Sequence, residues 1–246
     1  MSVGKQLSVA LLALKNKNRA QKSEIFFKTG PGQYGEHDCF LGISMPDIRR
    51  ITNMHVKDMD LDSSLVLLDS TWHEIRMAGA LCLNWLYDNS QSLKVKKSIF
   101  TAYNRYTGNG MGKRGPGINN WDLVDVSASH IVGAYTWESH DMRALHELCK
   151  NHDLWKRRVG IVATSYWIRQ GNSVATFTCA ELLMNDSEDL IHKATGWMLR
   201  EVGKRISKEV LRDFLQKHAT HMPRTALRYA IEHFSQSERK QWLQKC

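Results

Sequence analysis

A chain of 246 residues with 42% hydrophobic content is long enough to bury a sizeable core, which excludes a disordered polypeptide. Lys and Arg number 34 against 25 Asp and Glu, a net charge of +9, and such a balance points to a polyanionic partner, nucleic acid or an anionic membrane surface. The five cysteines (Cys39, Cys82, Cys149, Cys179, Cys246) are odd in number, scattered and without C-x-x-C spacing, so neither a disulfide framework nor a zinc ribbon is expected.

The apolar run at 7–14 is short and is followed by Lys15-Asn16-Lys17-Asn18-Arg19, which reads as a first amphipathic helix rather than a targeting segment. No stretch approaches the ~18 consecutive apolar residues of a membrane span. A soluble, intracellular protein with no membrane partner is expected. Residues 29–43 form a glycine-rich loop of unusual length, and loops of that length are commonly functional or mobile. A lid over a ligand is one reading of it. Ser44 and Pro46 then mark a helix start, as N-cap and first-turn proline.

Four prolines, almost no alternation and repeated stripes of period 3.6 argue for an all-α fold. Four segments share a plan, a basic residue near a helix start followed by a small and apolar run: Arg76-Met77-Ala78-Gly79, Arg158-Val159-Gly160-Ile161, Lys193-Ala194-Thr195-Gly196 and Arg224-Thr225-Ala226-Leu227. Their spacing fits a solenoid of helix pairs, with a non-repetitive bundle as the other reading. No shift in composition marks a second domain, so 1–246 is read as one.

Gly110-Met111-Gly112-Lys113-Arg114-Gly115 matches G-x-G-x-x-G in form. It lacks the preceding strand and βαβ setting of a dinucleotide site. Lys113 and Arg114 fit a basic loop near a phosphate, and a plain connection serves equally well. Just beyond it, Asn119-Asn120-Trp121-Asp122-Leu123-Val124-Asp125 opens a predicted helix over 121–135, with Asn120 as N-cap and Val124, Ala128, Ile131, Val132 and Tyr135 facing the core. Trp121 and Asp125, four apart, share one edge of that helix.

With 193–204 read as a helix, Ile191 just before it and Ala194, Thr195, Met198 and Val202 make the buried stripe and leave Lys193, Trp197, Arg200 and Lys204 on the opposite face. Aromatic and cationic side chains together make stacking surfaces for nucleic acid. Arg157 and Arg158, with Arg224 and Arg228, would repeat positive charge along one edge as a phosphate-binding strip, or pair with carboxylates. Eleven histidines include no H-E-x-x-H and no cluster at ligand spacing, and no G-x-S-x-G is present, so no metal and no cofactor are expected.

The runs 119–125, 191–204 and 222–230, with Gly32-Gln33-Tyr34-Gly35 and Phe40-Leu41-Gly42-Ile43, resemble the family of DNA alkylation repair enzymes typified by a HEAT-repeat alkylpurine glycosylase. The resemblance covers about residues 20 to 235. It implies a superhelical solenoid of HEAT-like repeats and hydrolysis of the N-glycosidic bond of cationic N3-alkyladenine and N7-alkylguanine in duplex DNA. Asp125 would be the catalytic carboxylate, with Trp121 and Trp197 as flanking walls. Arg158 and Arg200 would grip the backbone near the lesion, and Tyr34 falls with the DNA-binding residues. One departure is Asn120, where the type member has a second tryptophan. The expected protein is a monomer that acts without a small-molecule cofactor. A solenoid that only binds DNA structure or a protein is the alternative.

Overall fold

The computed structural model describes residues 2–108 and 116–244 and shows an all-α protein, with no strand among those residues. The chain divides into two compact units, 1–127 and 128–246. In the first lie α1 (Val3–Leu12), α2 (Lys17–Phe26), α3 (Met45–His55), α4 (Leu61–Leu68), α5 (His73–Asn89), α6 (Leu93–Tyr106) and α7 (Trp121–Ala128), whose last residue crosses the boundary. In the second, a π turn (Ser129–Gly133) is followed by α8 (Ala134–Glu138), α9 (Arg143–Cys149), α10 (Leu154–Arg169), α11 (Val174–Leu182), α12 (Asp189–Arg205), α13 (Lys208–His218), α14 (Arg224–Ala230) and α15 (Gln236–Gln244).

The helix starts follow local chemistry. Ser44 caps α3, its hydroxyl accepting the Asp47 amide at 3.4 Å, with proline in the first turn. Asp153 caps α10 by accepting from the Trp155 and Lys156 amides. Ser207 does the same for α13 with Glu209 and Val210.

The shared plan of the four sequence segments acquires a physical meaning in packing. In three of them a glycine sits where one helix presses on another. A Cβ at Gly79 of α5 would lie 3.0 to 3.1 Å from Leu67, Leu68 and Ser64 of α4. At Gly160 of α10 it would meet Cys149 Sγ at 2.7 Å, and at Gly196 of α12 the Ala226 carbonyl of α14 at 2.4 Å. Helices this close leave no volume for a side chain. Gly196→Ala is therefore expected to destabilise the protein by about 1–3 kcal/mol through overpacking. At an exposed helical site the same change would stabilise by about 1 kcal/mol. A urea midpoint at or above wild type would contradict the close crossing.

The predicted 121–135 helix is corrected in its second half. Val124, Ala128, Ile131 and Val132 are fully buried, but Tyr135 is only half-buried, and Thr136 is fully buried. The reason is the π turn, whose wider winding advances the register by a residue, so that Thr136 takes the inward position. Its hydroxyl accepts from Trp167 Nε1 at 3.1 Å and donates to the Val132 carbonyl.

No helix among the described residues is long and apolar enough to cross a membrane.

Candidate functional site

The 119–125 run opens α7 as a helix start built for attachment rather than for simple capping. Asn120 is fully buried. Its Oδ1 accepts the Trp121 amide at 2.8 Å, while its Nδ2 donates to Asp38 Oδ2 at 3.1 Å. Where the resemblance places a second tryptophan, this chain therefore has an interior amide. Trp121 and Asp125 are half-buried, one helical turn apart. The Trp121 ring stacks on Phe27 at 5.3 Å and 19° and meets the edge of Phe26 at 5.9 Å. Phe26 itself is 65% exposed, so the indole lies at the margin of an aromatic cluster that reaches solvent. Below it, Tyr103 shares a 2.8 Å hydrogen bond with Ser127 Oγ. Burial pushes that phenol's pKa up, the Ser127 contact opposes the rise, and the nearby charge of Asp125 adds to it.

Behind this surface lies a network of charges that no motif announced. Asp38 accepts from Arg76 Nη2 at 2.6 Å and lies 2.9 Å from His73 Nδ1, and the other ring nitrogen, Nε2, lies 2.8 Å from Asp122 Oδ2. Arg76, with no exposed surface, also donates to the carbonyls of Gly117, Ser70 and Thr71 and to Asn119 Oδ1. Glu74 receives the amides of Leu41, Gly42 and Ile43 at 2.7 to 3.2 Å. Part of the long glycine-rich loop is thus fastened to the first turn of α5. Tyr34, half-buried, donates through its hydroxyl to the Phe26 carbonyl at 3.5 Å.

In the second unit, α12 divides as its sequence predicts. Ile191, Ala194, Thr195, Met198 and Val202 are buried, whereas Lys193, Trp197 and Arg200 are half-buried and Lys204 is exposed. Lys193 pairs with Asp189 at 2.8 Å, and Arg200 pairs with Glu232 and, at 3.7 Å, with Glu201.

Arg157 and Arg158 are both held by acceptors within the protein. Arg157 Nε donates to Asp186 at 2.6 Å, and its Nη1 donates to the carbonyls of Asn151 and His152. Arg158 is 5% exposed and donates to the Leu190 carbonyl at 2.6 Å. A guanidinium brought inside must find acceptors, and Arg157 finds them in the segments that precede α10 and α12, Arg158 in the first turn of α12. Arg224 and Arg228 are exposed, Arg224 donating to the Leu243 carbonyl. Lys113 and Arg114 lie outside the described residues.

Residues 7–234 match the family model described as DNA alkylation repair enzyme. The chain belongs to that family. Its fold is similar to a solved structure titled "Predicted DNA alkylation repair enzyme from Enterococcus faecalis", at a TM-score of 0.70 and 16% identity, over 90% of this chain and 97% of that one. Among curated proteins nothing matches. Membership of the alkylation repair family supports a role in the repair of alkylation damage.

What sequence reasoning missed in this repair-family chain is the interior network. Its one legible signal is His73-Glu74-Ile75-Arg76, three ionisable residues crowded into the first turn of a helix that continues Met77-Ala78-Gly79-Ala80-Leu81. Asp38 offered no signal in its loop.

The network has a pH signature. At His73 burial works against the charged ring, but the charge and hydrogen bond of Asp122, then those of Asp38, outweigh it and raise the pKa from 6.5 to about 9. At Asp38 burial works against the carboxylate, but the His73 hydrogen bond and then the Arg76 charge hold it well below the usual range. A raised histidine contributes stability that is complete below the unfolded pKa of 6.5 and is lost as pH rises through about 9. A depressed aspartate contributes stability that is complete above 3.8 and is lost as pH falls through its lowered value. The melting temperature should be highest between those unfolded pKa values, at about pH 4 to 6.5 as far as these two groups decide it, and should fall towards pH 10. A His73→Gln variant should show a smaller alkaline fall. An identical fall in that variant would remove His73 as its cause.

Proposed function

We propose that the protein is a monofunctional alkylpurine DNA glycosylase, in which Asp125 is the catalytic carboxylate and Trp121 and Trp197 are aromatic walls. The observation that carries this reading is the half-buried Trp121 and Asp125, one turn apart at the start of α7, beside an aromatic cluster that reaches solvent. A purine alkylated at N3 or N7 already carries positive charge and leaves without a general acid. Positive charge then builds on the sugar, and a carboxylate held beside it stabilises that state and can orient the attacking water. Each indole face adds cation–π attraction of about 0.5–2 kcal/mol. Neither a metal nor a covalent lysine has a step to perform.

For DNA contact, the reading assigns phosphates to the exposed and half-exposed cations Lys193, Arg200, Lys204, Arg224 and Arg228. Tyr34 and the loop residues Lys113 and Arg114 belong to the same proposal. Arg157 and Arg158 enter it as residues that hold the segments around α10 and α12. HEAT-like repeats, a duplex substrate and a monomeric enzyme complete it.

The test is release of free base from methylated duplex DNA in the presence of a chelator. N3-methyladenine or N7-methylguanine in the supernatant, with an abasic site left behind, is the expected result. Duplex binding that weakens steeply with salt, with no base released, would overturn the catalytic reading and leave a DNA-binding module.

A further inference from the structure

We propose that His73 is a positioning residue for the Trp121 and Asp125 face: its ring, bridging Asp38 and Asp122, sets the rotation of the first turn of α7. The functional half of this inference rests on the glycosylase reading, whereas the positional half stands without it.

The bridge uses both ring nitrogens on carboxylates, at 2.9 and 2.8 Å. A neutral imidazole has one N–H and can satisfy only one such acceptor, so the pair of contacts calls for the protonated ring. The groups facing it are Asp38 from the 29–43 loop, Asp122 from α7 and, on its own helix, Arg76. Glu74, also on α5, turns to the amides of Leu41, Gly42 and Ile43. Arg76 already answers the charge of Asp38, so the charge on His73 is the one that answers Asp122.

Two paths then lead from His73 to the candidate site. The polar one runs through Asp122, the residue next to Trp121 and three before Asp125. At about 100° per residue, pinning Asp122 on its inner side fixes the direction in which Trp121 and Asp125 point. The aromatic one runs through Phe27, whose ring lies 5.0 Å from the His73 ring and stacks on Trp121 at 5.3 Å. Phe40 closes the cluster by stacking with the imidazole at 4.6 Å. The Asp122 side chain is 18% exposed, so water could hydrate it without His73 and α7 would still form. What would be lost is its aim.

The test uses the full chain labelled with 5-fluorotryptophan. Eight tryptophans give the 19F lines, and Trp121→Phe identifies the one at 121. In His73→Gln the carboxamide offers one donor and one acceptor at about the spacing of the ring nitrogens, so it can serve Asp38 but opposes Asp122 with an oxygen. The Trp121 line should shift or broaden while the lines remote from it stay in place. Single-turnover base release should fall roughly 10- to 100-fold, the cost of a misaimed group, with duplex affinity unchanged. Adding Asp122→Asn supplies the missing donor and should restore both the line and most of the rate.

An unmoved Trp121 line in folded His73→Gln, or a displaced line that Asp122→Asn does not restore, overturns the proposal. If the wild type releases no base, the glycosylase reading fails and the fluorine line alone decides the positioning. If His73→Gln does not fold, the wild-type Trp121 line is followed instead through the alkaline range. A shift centred near pH 9 supports the role of the ring, and a line constant to pH 10 overturns it.

Discussion

Asp125→Asn is expected to slow release of the alkylated base by about 10²- to 10³-fold while leaving duplex binding intact. The substitution keeps the size and hydrogen-bonding reach of the side chain and removes its charge. Its cost therefore isolates the electrostatic contribution to a transition state in which positive charge develops on the sugar. Loss of one preorganised electrostatic partner typically raises the barrier by about 2.7–4 kcal/mol, the same range expressed as energy. Single-turnover release from methylated duplex measures it directly. Near wild-type release by the variant would remove Asp125 from the chemistry, and an equal loss of DNA affinity would make it a binding residue.

The second large effect is on stability. Arg76→Ala should destabilise the first unit by about 3–5 kcal/mol, the usual consequence of breaking a buried ion pair and leaving the other charge behind. The guanidinium has five acceptors, Asp38, Asn119 and three backbone carbonyls, and all of them lose a donor in the variant. Asp38 would keep His73 and Asn120 as donors, which moderates the loss. For a chain of this length the melting temperature should fall on the order of 10 °C. Arg76→Lys should recover little, since an ammonium cannot span the fork of acceptors that a guanidinium reaches. A fall of only a degree or two in Arg76→Ala would mean that the interior network contributes little net stability.

Both predictions concern residues that the sequence brought forward, but for different reasons. Asp125 was visible because Trp121 and a carboxylate four residues apart on an amphipathic helix have little structural use. Arg76 was visible only as the first member of a repeated basic and small-residue plan. Its burial shows that the plan marks helix crossings and interior anchors at least as much as open charge, and Arg158 repeats the lesson with its bond to the Leu190 carbonyl.

Local interactions decide what a single sequence can disclose. The all-α class, the Ser44 cap, the division of α12 into a buried stripe and a Lys193, Trp197, Arg200 and Lys204 face, and the half-buried edge that holds both Trp121 and Asp125 all rest on residues within a few turns of one another. Periodicity and capping report such neighbours directly. The tertiary structure alone decided the rest. Asp38 meets Asn120 across 82 positions and His73 meets Asp122 across 49, and no spacing rule links a loop aspartate to a helix start so far away. The π turn likewise moved the inward position from Tyr135 to Thr136, a change of register that packing imposes and a 3.6-residue period cannot foresee. Whether a basic side chain lies open or buried depends on which acceptors the fold brings to it, and that is settled only when the helices have packed.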